Sequence, residues 1–405
     1  MLRLYNSLGK KTEPFRPVSK EVVTIFTCGP SVYQRSHIGN FRTFLFEDVL
    51  VRYLEYSGYK VQRGMNFTDL EDKAFEEAER KKTSVRVLAD KNIKEFMREM
   101  KLLNMKIPDY TPRASDTDNV MQAADVIGPL IDLEVAYRYK GNIYFDPKKF
   151  KGFGRLYGLD MSQWPSKKRR FHRDTYRGLH WNYGDFILWH GYKKGDAVSW
   201  DTRIGRGRPA WNVQDAGIVS RYLHETLSIY CGGVDNLFRH HDYSLAILEA
   251  IRPYPMARFW LHCQHLFVKG SKMSKSKGNI YYTDALLNKG YSPAEIRFFL
   301  IYGHYRERLD YSENNMRDAA DKLRLVKKSM AGIIKKGRSG RSSTTIAQKI
   351  RRIFVGHMDN DLDVRSAFDG ISHVLSAAAN SDKKYDPAAI AKELKKIDKV
   401  LNIIF

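Results

Sequence analysis

An apolar, β-branched run over residues 22–28 stops at Gly29-Pro30, which predicts a buried strand closed by turn chemistry. From 39 to 56, Phe41, Phe44, Phe46, Val49, Leu50 and Tyr53 recur at helical spacing on one side, and residues 60–65 read as a second strand. Strand, glycine-bearing turn, helix, strand is the opening unit of a doubly wound parallel α/β sheet. A further amphipathic helix is expected over 85–105. Between 112 and 200 the pattern turns irregular, rich in aromatic and basic residues, and reads as an insertion between two halves of the sheet. A strand returns at 227–231, followed by Gly232-Gly233 and a helix from about 240 to 251. An apolar segment at 259–268 then leads into Gly270 and a lysine-rich loop. Beyond about 306 the pattern is helical throughout, broken at 335–343 by a Gly/Ser/Lys/Arg-rich stretch. The expected layout is a first catalytic half over 1–111, an insertion over 112–200, a second catalytic half over 201–305 and a helical bundle over 306–405.

Charge adds to this picture. The 405 residues carry 69 Lys plus Arg against 46 Asp plus Glu, a formal net charge of +23. Such an excess attracts polyanions, nucleic acid first among them, although a generally basic proteome would produce the same number. The basic run at 167–170, with Tyr176 and Trp181 nearby, and the 335–341 stretch are candidate phosphate contacts, or else solvated surface. The three cysteines, Cys28, Cys231 and Cys263, are too few and too odd in number for a disulfide framework and suit a reducing compartment. No apolar run suggests a secretory leader or a membrane span. A soluble, cytoplasmic enzyme is expected.

Two short motifs carry chemistry. His37-Ile38-Gly39-Asn40 sits where the first strand passes into the first helix. Unpaired N–H groups and a positive dipole end suit phosphate there. Gly39 allows close approach, while the His37 imidazole and the Asn40 amide can donate to phosphate oxygens. Lys272-Met273-Ser274-Lys275-Ser276 follows the last apolar strand, and its lysines can neutralise charge growing on a departing pyrophosphate. Each motif alone matches a helix cap or a solvated lysine loop; both together, in this order on consecutive α/β halves, point to a nucleotide site.

HIGN and KMSKS resemble the two signature motifs of class I aminoacyl-tRNA synthetases. The surrounding text is similar to the cysteinyl-tRNA synthetase family in particular: TCGPSVYQRSHIGNFRTF around the first motif, NFTDLEDK at 66–73, GRGRPAWN at 205–212, GGVDNLFRHHD at 232–242 and GHYRERLDYS at 303–312. The resemblance implies a two-step reaction. An amino-acid carboxylate attacks the α-phosphate of ATP, with Mg2+, giving an aminoacyl-adenylate and pyrophosphate; the 3′-terminal ribose of tRNA then takes the aminoacyl group. It implies His37, Asn40, Lys272 and Lys275 as catalytic residues. Gly29, Gly39, Gly232, Gly233 and Asp235 join them around the nucleotide, and Cys28, Ser31, Thr68, Trp211, Asp215 and His240 form the amino-acid pocket.

Cysteinyl-tRNA synthetases hold a zinc ion that binds the substrate thiolate, through two Cys, one His and one Glu. Matched by motif, Cys28 and His240 are present, but Asp215 stands at the second Cys and Ser244 at the Glu. Zinc is therefore not expected; Cys28, Asp215 and His240 would be its ligands if any were bound, with Cys231 a candidate substitute thiolate. Asp215 is expected to face the amino-acid side chain and to seek a polar or cationic partner there. The family also continues beyond the helical bundle into a small domain that helps read the anticodon, whereas this sequence stops near the bundle's end, as do short relatives that join cysteine to an amino-sugar. Three readings follow: a tRNA ligase of cysteinyl type with altered amino-acid specificity, a ligase acting on a non-tRNA amine or modified nucleoside, and an RNA-binding paralogue without chemistry.

Overall fold

The computed structural model describes residues 1–163, 184–273, 278–336, 343–382 and 385–405. Lys275, the basic run at 167–170, Tyr176, Trp181 and most of the 335–343 stretch lie outside the described residues. A hairpin of β1 (Arg3–Asn6) and β2 (Lys11–Pro14) opens the chain. β3 (Val23–Thr27) follows and leads through α1 (Ile38–Tyr56) to β4 (Val61–Met65), which pairs parallel to it. α2 (Asp72–Arg80) and α3 (Val85–Leu102) come next.

α1 matches the helix expected from its apolar spacing, with one difference. Arg42, Glu47 and Asp48 are as deeply buried as its phenylalanines, so both faces of the helix are covered. Each charge has a partner. Arg42 donates to the carbonyls of Gln264, Leu300, His304 and Glu307. Asp48 accepts from Arg297 at 2.6 Å and from Arg52 at 2.8 Å. Glu47 meets Arg63 at 3.1 Å. Buried ion pairs thus hide a second packing face from the hydrophobic pattern.

The 112–200 region is more ordered than its pattern predicted. It holds α4 (Thr117–Asp132), β5 (Ala136–Tyr139), β6 (Asn142–Phe145) and β7 (Phe186–Gly191). With β8 (Gly207–Pro209) the strands form an antiparallel sheet in the order β5-β6-β7-β8, so the boundary drawn at 200 falls inside this sheet. Its strands are short, and β5 and β6 are joined by Lys140-Gly141, both at positive φ, a tight hairpin turn with little apolar text to announce it.

α5 (Trp211–Tyr222) returns the chain to the parallel sheet at β9 (Leu227–Gly233). The helix expected over 240–251 is instead a π-helical turn at Leu237–Asp242 running into α6 (Tyr243–Glu249). The apolar segment at 259–268 divides into β10 (Ala257–Cys263) and β11 (Leu266–Val268), followed by β12 (Ser271–Lys272), α7 (Thr283–Leu287) and α8 (Pro293–Tyr302). β13 (Leu309–Tyr311) pairs parallel to β11, so the helical bundle begins only at α9 (Glu313–Lys335) and continues through α10 (Ser343–Met358), α11 (Val364–Asn380) and α12 (Pro387–Leu401).

The parallel sheet runs β10-β9-β3-β4. Chain direction across it reverses between β3 and β9, and the C-terminal ends of those two strands therefore flank the crevice where open α/β sheets bind ligands. No described helix is long and apolar enough to cross a membrane.

Candidate active site at the β3/β9 switch point

Cys28 follows the end of β3, β9 ends at Gly232-Gly233, and a cavity of about 840 Å³ opens beyond them. His37, Gly39, Asn40, Asp235 and Lys272 line one end of it; Cys28, Gly29 and Ser31 line the other. The two motifs, over 230 residues apart, are therefore walls of one cavity.

At the first end, His37 is the N-cap of α1, and its backbone N–H donates to the Asn40 side-chain oxygen at 3.0 Å. That bond occupies the amide oxygen and leaves the Asn40 NH2 group as the donor at the helix terminus. Burial, followed by the charge of Lys272, pushes the His37 imidazole down to about 4, so it is neutral at pH 7 and offers a hydrogen bond rather than a charge. Met273 is buried 3.5 Å from the position a Cβ on Gly39 would take, which brings the start of the lysine loop against the HIGN turn. The Lys272 ammonium donates to Asp235 at 2.9 Å, with both side chains about half exposed (52% and 51%). An ion pair that exposed contributes at most about 1 kcal/mol and is easily exchanged for another anion.

The other end is built differently. Asp215 lies on α5 and is completely buried. Asn66 Nδ2 donates to its Oδ1 at 2.7 Å, the Tyr230 hydroxyl donates to Oδ2 at 2.6 Å, and His240 Nε2 meets Oδ2 at 2.8 Å. The Cys28 thiol lies close enough to the same carboxylate to feel its charge. Burial alone would raise this group; His240, Tyr230 and Cys28 more than offset it and hold Asp215 below the usual carboxylate range. Burial and the same carboxylate push the Cys28 thiol well up, so it carries its proton. Asn66 also fixes the turn after β3, since its Oδ1 accepts from the Gly29 N–H at 2.9 Å. A Cβ on Gly29 would fall 1.7 Å from the Asn66 carbonyl oxygen, so only glycine fits there. At Gly232 a Cβ would strike the His241 ring at 2.5 Å.

The expected pocket residues are thus brought together, but not all on the cavity wall. Cys28 and Ser31 face it. Thr68, Asp215 and His240 lie behind it, at 2%, 0% and 0% exposure. Thr68 is held by a backbone bridge to Ser31. Trp211 stacks on the His240 ring (centroids 4.2 Å apart, planes 9° apart) and lines a separate cavity of about 230 Å³ with Asn212, Arg239 and Tyr243. Asp215 therefore does not present an unpaired charge to a substrate, as its position in the sequence suggested; its partners are all internal. Cys231 is no substitute thiolate beside Cys28. It is buried in the core that packs against α1, where Glu47 and Cys263 are the charges and thiols that affect it. Asn66 and Tyr230 were not singled out by the sequence, although Asn66 heads the NFTDLEDK motif and Tyr230 immediately precedes Cys231 in β9.

The zinc ligand set can be tested on this geometry. Two atoms bound to one tetrahedral zinc at about 2.0 Å lie about 3.3 Å apart. His240 Nε2 and Asp215 Oδ2 stand closer, at hydrogen-bond distance. Cys28, His240 and His241 do offer ligand atoms within 4.8 Å of one another. His240 Nε2, however, is engaged with Asp215, which leaves that ring a buried Nδ1 without a partner among the described residues. His241 uses Nδ1 on His262 at 2.8 Å and keeps only a buried Nε2 without a partner among the described residues. Ser244 is buried beside the Tyr230 phenol and brings no carboxylate. With an aspartate at the second cysteine's position and a serine at the glutamate's, this donor set does not fit the family's site of two Cys, one His and one Glu.

The family model described as "tRNA synthetases class I (C) catalytic domain" matches residues 14–321. The cysteine–tRNA ligase of Koribacter versatilis is 34% identical over 417 residues, spanning 100% of this chain and 82% of its own length. That of Chlamydia muridarum is 33% identical over 427 residues, spanning 100% and 88%. Among solved structures, Mycobacterium tuberculosis methionyl-tRNA synthetase in complex with methionyl-adenylate superposes with a TM-score of 0.64 at 14% identity, over 95% of this chain and 89% of that one. The LeuRS–tRNA–LeuAMS ternary complex of Agrobacterium radiobacter K84 gives 0.69 at 11% identity, over 96% and 85%. At such identities these two share the fold with this chain, and the doubly wound sheet with its helical C-terminal region is that of a class I synthetase. The family is one of ligases that use ATP to form an aminoacyl-adenylate and act on tRNA, and by its whole-length similarity to cysteine–tRNA ligases this chain is a member of the cysteinyl-tRNA synthetase family.

Proposed function

We propose that the cavity at the β3/β9 switch point binds ATP with Mg2+ and an amino acid, forms the aminoacyl-adenylate, and passes the aminoacyl group to the 3′-terminal ribose of a tRNA. One observation carries this reading: HIGN and the first residues of KMSKS line a single cavity, with Lys272 resting on an exposed partner, Asp235, that it can leave.

In this reading the triphosphate lies across the N-terminus of α1, where the Asn40 amide and the neutral His37 donate to phosphate oxygens. Lys272 moves from Asp235 to the β- and γ-phosphates, and Lys275 acts with it. Asp235, released, faces the ribose hydroxyls, next to Gly232 and Gly233. Mg2+, when bound with ATP, supplies charge neutralisation on the phosphates. An oxygen of the amino-acid carboxylate attacks the α-phosphorus, the bond to the bridging oxygen breaks, and pyrophosphate leaves with its charge met by the lysines. In the second step the ribose hydroxyl attacks the adenylate carbonyl, its proton is lost, and AMP departs. Positioning and charge stabilisation account for both steps, and no covalent enzyme intermediate is needed.

The strongly basic chain favours a tRNA acceptor over a small amine, and a cytoplasmic location suits that substrate. The test is ATP–pyrophosphate exchange against all twenty amino acids, followed by charging of total tRNA. Exchange with at least one amino acid and salt-sensitive charging are expected. Exchange without charging would transfer the acceptor step to a smaller molecule, and no exchange at all would remove the enzymatic reading.

A further inference from the structure

The Asp215 carboxylate takes three hydrogen bonds, from Asn66, Tyr230 and His240, and the Cys28 thiol lies beside it. These come from four separate places: the end of β4, the β9 strand, the π-helical turn and the end of β3. All but Cys28, at 7% exposure, are fully shielded from solvent or nearly so. A buried charge this thoroughly paired is a finished piece of core. It asks nothing of a substrate. The cavity meets only its outermost member, the Cys28 thiol, with the Asn236 amide 3.7 Å from the sulfur.

We propose that this hydrogen-bonded cluster replaces the zinc of the family at the floor of the amino-acid pocket, and that the enzyme therefore activates an amino acid with an uncharged side chain without selecting sulfur by metal coordination. The proposal rests on the reading of the chain as an amino-acid-activating enzyme and concerns how its pocket discriminates. Asp215 acts here as a positioning residue: it fixes the Cys28 thiol and the His240 ring, on which Trp211 stacks. The consequence is quantitative. A soft metal can separate a thiol from a hydroxyl steeply, whereas a pocket relying on fit and weak contacts separates such near-isosteres by about 100-fold or less.

The test combines metal analysis with specificity on the purified full-length protein. Zinc is expected at well under 0.1 per chain, including in preparations grown and purified with added zinc. Exchange activity should be unchanged by 1,10-phenanthroline, and the ratio of cysteine to serine in exchange should not exceed about 100-fold. One zinc per chain, activity lost on chelation and restored by zinc, or a cysteine preference above 10,000-fold would each overturn the proposal. Absence of exchange with every amino acid would defeat the enzymatic reading, yet the zinc content would still decide this one. A second arm uses the D215C/S244E variant, which restores the family's ligand types. If it folds, it should gain stoichiometric zinc that the parent lacks; a parent that already binds zinc as tightly as the variant refutes the replacement. If the variant does not fold, Tyr230→Phe tests the cluster more gently: zinc content should remain near zero, and a rise to one per chain would show that the phenol had merely been covering a metal site.

Discussion

The two ends of one cavity are built on opposite principles. At the α1 end, polar groups are exposed or loosely paired: Asn40 is at the surface, and Lys272 and Asp235 are each about half exposed. At the Cys28 end, Asp215 is held by three hydrogen bonds and His240 is buried beneath Trp211. The first end keeps its interactions available for a ligand that brings charge. The second has spent them internally, so it can shape a pocket but cannot reach out to a substrate. Mutations at the two ends should therefore fail differently, the buried one in stability and the exposed one in rate.

The largest effect is expected at Asp215. Asp215→Ala leaves Asn66, Tyr230 and His240 without their common acceptor in the core, and should lower unfolding free energy by about 3–5 kcal/mol, read by urea denaturation. A loss below about 1 kcal/mol would mean that the cluster is not the closed structure described. Lys272→Ala should do the reverse. Removing a half-exposed pair costs little stability, at most about 1 kcal/mol. Exchange should fall by about 100- to 1,000-fold, as for loss of one preorganised group facing transition-state charge. If exchange fell no further than stability did, Lys272 would be a surface residue and the contrast between the ends would collapse.

These two residues also show what the sequence could and could not disclose. HIGN and KMSKS are contiguous, so each carries its chemistry in a few adjacent letters, and the β3-α1-β4 unit that orients the first is visible in apolar periodicity alone. Asp215 was equally visible, but its meaning was not. Its partners lie at positions 66, 230, 240 and 28, and nothing in one sequence says that a tyrosine in β9 and an asparagine after β4 converge on it. Without them the carboxylate had to be assigned a partner in the substrate; with them it has none to seek. Distance along the chain hid the joint between α1 and α8 too, since nothing in one sequence pairs the buried Asp48 with Arg297. The antiparallel sheet of the insertion was missed for another reason: strands of three to six residues, closed by a turn at Lys140-Gly141, are too short to impose a period.

Tyr230→Phe sharpens the comparison at intermediate size. The ring keeps its stacking on Trp260, with centroids 4.7 Å apart, while Asp215 loses one of its donors. A hydrogen bond to a charged group contributes about 1.5–3 kcal/mol, and the loss should appear in the denaturation midpoint. Exchange should change less than threefold, because no nucleotide contact is touched. A large fall in exchange with little change in stability would place Tyr230 against the substrate instead.

The smallest effect is a proton effect, and it tests whether the buried end is as sealed as it looks. His262 donates or accepts between His241 and the Ser7 hydroxyl, 2.8 Å from each, and burial pushes its imidazole down to about 3. An unfolded chain binds a proton at this residue near pH 6.5, while the folded one does not until far lower. Because the folded value is depressed, the stability from this group is fully present above about 6.5 and is lost as pH falls toward 3. Between pH 7 and pH 5.5 the loss should come to about 1 kcal/mol for one buried histidine. Carboxylates elsewhere titrate over part of the same range, so the informative quantity is a difference. His262→Gln, which can keep one hydrogen bond but cannot titrate, should flatten the pH dependence of the urea midpoint by that amount. The same window does not separate His262 from His37, pushed down to about 4: both take up their proton in the folded protein only well below pH 5.5, so the equivalent change at His37 should flatten the curve by a similar amount. The two should part only below about pH 4, where His37 in the open cavity takes up its proton in the folded protein and its loss levels off, while the loss at His262 keeps growing toward 3; no divergence there would mean that water reaches both ends alike.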